Sequence, residues 1–366
     1  MPEARMLVVI VAPLRLTLWV LVATTVVIVG LLAIVVAHHL HWARADRRRE
    51  RVRAEFEPVF ARFLQSEDPV RLADELRPAF LRMDAAHRPV AAVLVIDLMK
   101  ETSSPAQTEN LRWTLEQSGI LALGERGTRR LSPWRRALAC ELLGKIGASS
   151  SVPVLLARLD DRRPEVRVAA VGALGNIGSA EAVPALSAAF LEGRAAPTSV
   201  LNLALRRIGG GAVTAFERGV ASEDPNVRVS SCFGLSEAEE RADAADRLAA
   251  VLVTDSDARV RTAAASALGI VGGDDAPAAL LGATSDTDVQ LRRTAVKALG
   301  SFDDPAVAAT LDRHTEDEDR ETAIRAAEAL HALAGRPSAS RAATASLESS
   351  RAWAVQYVRT IAELSA

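Results

Sequence analysis

The sequence predicts an all-α protein: a right-handed α-solenoid of antiparallel helix pairs with a period of about 31 residues, preceded by one transmembrane helix. Three observations predict it. A leucine returns at a nearly fixed interval through the C-terminal two thirds of the chain. Small residues, arginines, aspartates and glycines keep step with that leucine. Near the N-terminus an uncharged run of twenty-two residues is followed at once by a burst of arginines.

Residues 1–15 form a short N-terminal segment, whose apolar run LVVIVA (7–12) is too brief to span a bilayer. Residues 16–37, LTLWVLVATTVVIVGLLAIVVA, are long enough to cross as one helix. Residues 38–53 are basic and carry Arg44, Arg47, Arg48, Arg49, Arg51 and Arg53, whereas only Arg5 and Arg15 precede the apolar run. The positive-inside rule therefore places everything that follows in the cytoplasm. Trp19 and Trp42 suit the two interfacial belts. A cleaved signal peptide would use V-V-A at 35–37, but the apolar run is too long and the positive cluster is on the wrong side. Arginine outnumbers lysine 41 to 3, which reads as a GC-rich bacterial genome, so the membrane is the bacterial cytoplasmic one, crossed in a single pass.

Residues 54–130 look helical without showing the repeat. FEPVFARFL, LADELRPAFL and PVAAVLVIDLMK have helical apolar spacing, with turn signals at SEDP, HRP and ETSSPAQT. They read as degenerate repeats or a cap, because a terminal unit has only one neighbour.

Residues 131–335 carry the repeat. The anchors are Leu143, Leu174, Leu205, Leu235, Leu268, Leu299 and Leu330, with Ile361 next in register, at intervals of 30 to 33. Seven before the anchor stands arginine: Arg136, Arg167, Arg228, Arg261 and Arg292. One before it stands a small residue that lets neighbouring helices approach: Ala173, Ala204, Gly234, Ala267, Ala298 and Ala329. Thirteen before it stands a helix-capping aspartate: Asp161, Asp255, Asp286 and Asp317. Four after it Gly147, Gly178, Gly209 and Gly272 stop the helix in the left-handed conformation. Between these helices lie shorter apolar ones at 152–159, 182–191 and 244–253, so each period holds two helices that cannot bury their apolar faces alone. Residues 336–366 are a Ser/Ala-rich linker and a C-terminal capping helix whose Trp353 and Tyr357 close the stack or dock a partner.

This frame resembles the HEAT repeats, in particular the short bacterial HEAT-like repeats of the phycobilin-lyase type. The resemblance rests on the D-x5-R spacing in Asp161/Arg167, Asp255/Arg261 and Asp286/Arg292, and on the A-L-G that follows. It implies that aspartate and arginine link neighbouring units in a structural ladder. Glu192 and Thr198 replace the pair in the copy around Leu205, and the copies around Leu143 and Leu235 keep only the arginine, so the ladder is expected to be broken there.

Little in the chain points to chemistry. On a helix His38 and His41 would be i, i+3 neighbours, but no carboxylate or thiolate completes a metal site, so HHLH reads as a polar collar. GGG at 209–211 lacks the lysine and serine or threonine of a phosphate loop. TEDEDRE (315–321) lacks EF-hand spacing and reads as a solvated turn. Cys140 and Cys232 sit far apart inside repeat helices and suggest no disulfide. No catalytic, cofactor or metal residues are assigned.

Charge separates two parts. Residues 1–53 have eight arginines against three carboxylates, a net of +5, so a chain of net −2 leaves residues 54–366 at about −7. The basic flank suits anionic lipid headgroups. The acidic remainder argues against a nucleic-acid groove, and with it against a DNA glycosylase of HEAT-like fold. The expectation is a membrane-tethered cytoplasmic scaffold or adaptor that binds a protein partner, such as a membrane enzyme or transport complex, and is not an enzyme. The positions two before the anchor, Glu141, Leu203, Phe233, Ser266, Lys297 and Glu328, vary where the core does not, and are the candidate partner-binding row on a concave face. The alternative implied by the resemblance is an enzyme subunit acting on a bound chromophore or protein substrate.

Overall fold

In the computed structural model the described residues are 105–117, 119–237, 241–336 and 352–365, with isolated positions before residue 105 and at Thr344. They form helices and turns, with no strand among them. All of the expected transmembrane stretch but Leu32, the histidine collar and most of the expected 54–104 helices lie outside the described residues. Among the described residues, no helix is long and apolar enough to cross a membrane. The chain divides into two compact units, residues 1–120 and 121–366. In the first, α1 (Pro105–Gln117) buries Thr114 and Leu115.

The second unit is a succession of helices in two interleaved series. The anchor leucines lie on α3 (Pro133–Ile146), α5 (Pro164–Ile177), α7 (Thr198–Ile208), α9 (Pro225–Leu235), α11 (Ala258–Val271), α13 (Val289–Leu299) and α15 (Arg320–Ala334). Between them come α2 (Ile120–Gly127), α4 (Val152–Leu156), α6 (Val183–Leu191), α8 (Val213–Gly219), α10 (Arg241–Thr254), α12 (Ala276–Ala283) and α14 (Pro305–His314). Each leucine helix packs on the next leucine helix, and intervening helices pack on one another in the same way, as α6 on α8 and α10 on α12. That nearest-neighbour connectivity is the signature of a solenoid. The last helix, α16 (Trp353–Ser365), packs on α15.

The seven anchor leucines are at most 1% exposed and lie in one continuous core with the intervening helices. Burying each contributes about 2 kcal/mol. Ile361 keeps the register but is not a buried anchor: it is 48% exposed, and α16 instead buries Ala354 and Val355 against Ala323 and Ala327. Trp353 is 45% exposed with the Arg320 guanidinium 5.4 Å from its ring centroid.

Leucine helices approach closely because small residues face each other. A Cβ on Gly144 would fall 2.4 Å from the Cα of Ala173, and one on Gly175 would fall 2.6 Å from that of Ala204. The first helix pair begins earlier than the expected residue 131: α2 packs on α3, with Gly124 against Leu143 and Gly127 against Ala139.

The helix ends differ from expectation in two ways. Gly147, Gly178, Gly209 and Gly272 each donate their N–H to the anchor leucine carbonyl. Gly178 is left-handed (φ 72°, ψ 19°), but Gly209 has ψ −157°, a region essentially confined to glycine. At the start of the helices, the aspartate thirteen before the anchor is not the cap. Asp257, Asp288 and Asp319, two residues later, accept from the first-turn N–H groups. The expected aspartates instead accept the N–H of residue 163, 257, 288 or 319, at 2.8–3.0 Å, and so shape the turn before the cap.

Candidate interaction surface

The turns before the leucine helices lie along one edge of the unit, joined by the ladder. Arg136 donates from Nε and Nη2 to the two carboxylate oxygens of Asp161, at 2.9 and 2.8 Å. Arg228 does the same to Asp255, at 2.7 and 3.0 Å. Arg261 reaches both oxygens of Asp286 at 3.2 Å. The third guanidinium nitrogen turns back: Nη1 of Arg228 donates to the Ser222 carbonyl, and Nη1 of Arg261 to that of Asp255. One arginine thus staples its own turn and the next, which a lysine's point charge cannot do. The Arg136–Asp161 pair is the most enclosed, with side chains 13% and 6% exposed. Its hydrogen bond to Arg136 holds the Asp161 carboxyl below the usual carboxylate range, outweighing desolvation.

The Asp and Arg of one copy do not join side chain to side chain. Arg167 meets Asp161 only at its backbone carbonyl, and Arg292 meets Asp286 likewise. The copy around Leu205 breaks the ladder as expected, but the copies around Leu143 and Leu235, where a break was also expected, complete their rungs through Arg136 and Arg228 because the aspartate comes from the following copy. Where Glu192 replaces aspartate, Arg167 donates to the Ala195 carbonyl at 2.7 Å. At the last step Arg293, not Arg292, reaches forward, to Asp319 at 2.6 and 2.8 Å. Two carboxylates of TEDEDRE are therefore engaged, Asp319 by Arg293 and Thr322 and Asp317 by His314, while Glu316 and Glu318 are exposed.

Between the copies of Leu205 and Leu235 the rung has neither arginine nor aspartate. Three features of that junction escaped the sequence reading. Asn202, 5% exposed, donates from its side-chain amide to the Ser230 carbonyl on α9. Arg206 pairs with Glu237. Phe190 and Phe216 meet edge to face at 5.7 Å, and Phe216 fills the space that a Cβ on Gly234 would need. Asn202 was legible as a lone amide three before the anchor in the one leucine copy with neither the aspartate nor the arginine. An open groove of about 380 Å³, lined by Arg206, Gly209, Thr214, Glu217 and Glu237, lies at the same junction.

The candidate row faces outward. Glu141, Leu203, Phe233, Lys297 and Glu328 are exposed and Ser266 is half-buried, while the residues one after them are buried. Leu203 and Phe233 stand on neighbouring helices, 46% and 38% exposed. Cys140 and Cys232 are fully buried, and burial pushes both thiols up to about 12. Among the described residues no group of three His, Cys, Asp or Glu is placed to hold a metal. Of the basic flank, Arg47 and Arg53 are helical and exposed, with Arg53 3.3 Å from Glu57, while Arg44, Arg48, Arg49 and Arg51 lie outside the described residues.

A family model described as HEAT repeats matches residues 120–205, 215–290 and 278–364. No curated protein matches the chain. Among solved structures, an engineered protein is 19% identical with a TM-score of 0.39, over 83% of this chain and 96% of that one. Human deoxyhypusine hydroxylase in complex with glycerol is 20% identical with a TM-score of 0.30, over 79% of this chain and 97% of that one. A second engineered protein is 20% identical with a TM-score of 0.33, over 58% and 96%. Likenesses at these scores support no statement about activity.

Proposed function

The chain belongs to the HEAT-repeat family, and from that premise we propose that it is a membrane-tethered scaffold in the bacterial cytoplasm, gripping a protein partner and performing no catalysis itself. HEAT repeats suit a protein-interaction scaffold because stacked pairs present a long, regular surface. The single observation that carries the reading is the exposed row two before the anchors. Its side chains run Glu141, Leu203, Phe233, Ser266, Lys297, Glu328 over a frame of invariant buried leucines. Changes in such a row alter the surface without altering the fold. The tether is the uncharged run 16–37, with the arginines of 38–53 holding the repeats on the cytoplasmic side.

The test is a photo-crosslinking amino acid at Phe233 in the full chain, in native membranes, with the same group at Glu223 as the control. One abundant adduct from 233, absent from 223, is the expected result. Adducts only between copies of the chain, or the same adducts from both positions, would overturn the scaffold reading.

A further inference from the structure

The turn edge changes sign along the stack. The first turn reads TRRL (128–131) and the second DDRR (160–163). From the fourth turn on they read SED (222–224), DSD (255–257), DTD (286–288) and EDED (316–319). The first two turns are held side by side: Arg158 donates to the Thr128 carbonyl at 3.2 Å, and Arg136 grips Asp161. Their acids are already spent, Asp161 on Arg136 and Asp160 on Arg194. Arg129, Arg130, Arg162 and Arg163 are exposed, and no ion pair reaches them among the described residues. Between them project Leu131, 98% exposed, and Trp134, 61% exposed.

We propose that this corner, the TRRL and DDRR turns with Leu131 and Trp134, is a second membrane contact, which lays the first repeats on an anionic bilayer surface. Guanidinium groups would take lipid phosphates, the indole would sit at headgroup level, and Leu131 would enter the acyl boundary. The occupant follows from charge and shape together. A naked leucine beside an indole and four free cations matches an apolar layer under a negative one. The exposed carboxylates of the later turns, Glu223, Glu316 and Glu318, would be repelled by the same surface. The gradient therefore orients the unit, first turns on the lipid and acidic turns toward the cytoplasm. An acidic protein surface would meet the cations but leave Leu131 without an apolar layer.

This inference rests on the tethered reading, and the two can fail separately. Retention of the full chain in native membranes after alkaline carbonate extraction tests the tether. For the corner, Leu131→Cys carries a polarity-sensitive thiol probe on the full chain in lipid nanodiscs, with Lys297→Cys as the control. Cys140 and Cys232 stay unlabelled because they are fully buried. In discs with about a third anionic phosphatidylglycerol, the 131 probe should shift to the blue and the 297 probe should not. The shift should vanish in neutral phosphatidylcholine discs, at high salt, and in R129E/R130E/R162E/R163E, each arginine being worth about fivefold in association. Circular dichroism of that variant checks its fold, and high salt on the unaltered arginines gives the same readout without substitution. Equal emission in neutral and anionic discs overturns the proposal. So does a 131 probe that stays in water in anionic discs but is shielded in native membranes, which would assign the corner to a protein.

Discussion

At Gly144 an added Cβ would meet the Ala173 backbone at 2.4 Å, and at Gly175 the Ala204 backbone at 2.6 Å, whereas at Gly172 it would meet nothing within 4 Å. All three are helical, so alanine gains about 1 kcal/mol of propensity at each. At Gly144 and Gly175 the gain is outweighed by overpacking of about 1–3 kcal/mol against a backbone that cannot yield locally. Urea denaturation should therefore find Gly172→Ala more stable than the native chain, and Gly144→Ala and Gly175→Ala less stable. A uniform shift for all three would remove close helix approach as the reason for these glycines. The Arg136–Asp161 rung carries a pH signature. The Asp161 carboxyl is lowered in the folded state, chiefly by its hydrogen bond to Arg136. Its contribution is then fully present above the unfolded carboxylate value, about 3.9, and is lost as pH falls through the lower folded value. Asp161→Asn should flatten the acid limb of stability against pH and should cost about 2 kcal/mol at neutral pH, where Arg136 is left unpaired. An acid limb unchanged by the substitution would mean that other carboxylates dominate it.

At the scale of the helix, the ends set the repeat length. Gly178 and Gly209 occupy the same place after their anchors, yet their ψ angles are 19° and −157°. Alanine tolerates the first conformation at a cost of about 1–2 kcal/mol, and the second only by moving the chain. Gly209→Ala should thus destabilise more than Gly178→Ala, and equal thermal shifts would contradict this. The sequence made the helices, their period and their stops legible, because leucine spacing and terminal glycines are local signals. It did not show which aspartate caps. Asp255 and Asp257 stand two residues apart in the same turn, and only the fold decides that the second caps while the first takes Arg228 from the preceding copy. The resemblance carried by the D-x5-R spacing implied links between neighbouring units, and the partners do lie 25 to 27 residues apart, but which residues join is set across a helix–helix interface that no local pattern encodes. Ile361 failed for a similar reason. Its register was right, but an anchor is buried only where another helix covers it.

Across the whole repeat unit, stability is a sum of nearest-neighbour interfaces, so the least secured junction decides where the stack opens. The junction between the copies of Leu205 and Leu235 lacks the arginine–aspartate rung and relies on Asn202 between α7 and α9 and on the Phe190–Phe216 contact between α6 and α8. The Asn202 amide bonded to the Ser230 carbonyl resists opening only while both partners are present, and losing that bond costs about 1 kcal/mol. Asn202→Ala should then lower hydrogen-exchange protection in α7, α8 and α9 while leaving α13 and α15 near their native protection. The contrasting variant is Arg228→Ala, which removes a complete rung at the next junction and should loosen α9 and α11 instead. If both variants lowered protection evenly from α3 to α15, the unit would unfold as one cooperative block. The ladder would then fix geometry rather than local stability. If the losses stay where the bonds were cut, the exposed pair Leu203 and Phe233 sits on the two helices most able to shift against each other. A scaffold with its apolar contact on that junction could adjust the spacing of the two side chains to its partner without unwinding a helix.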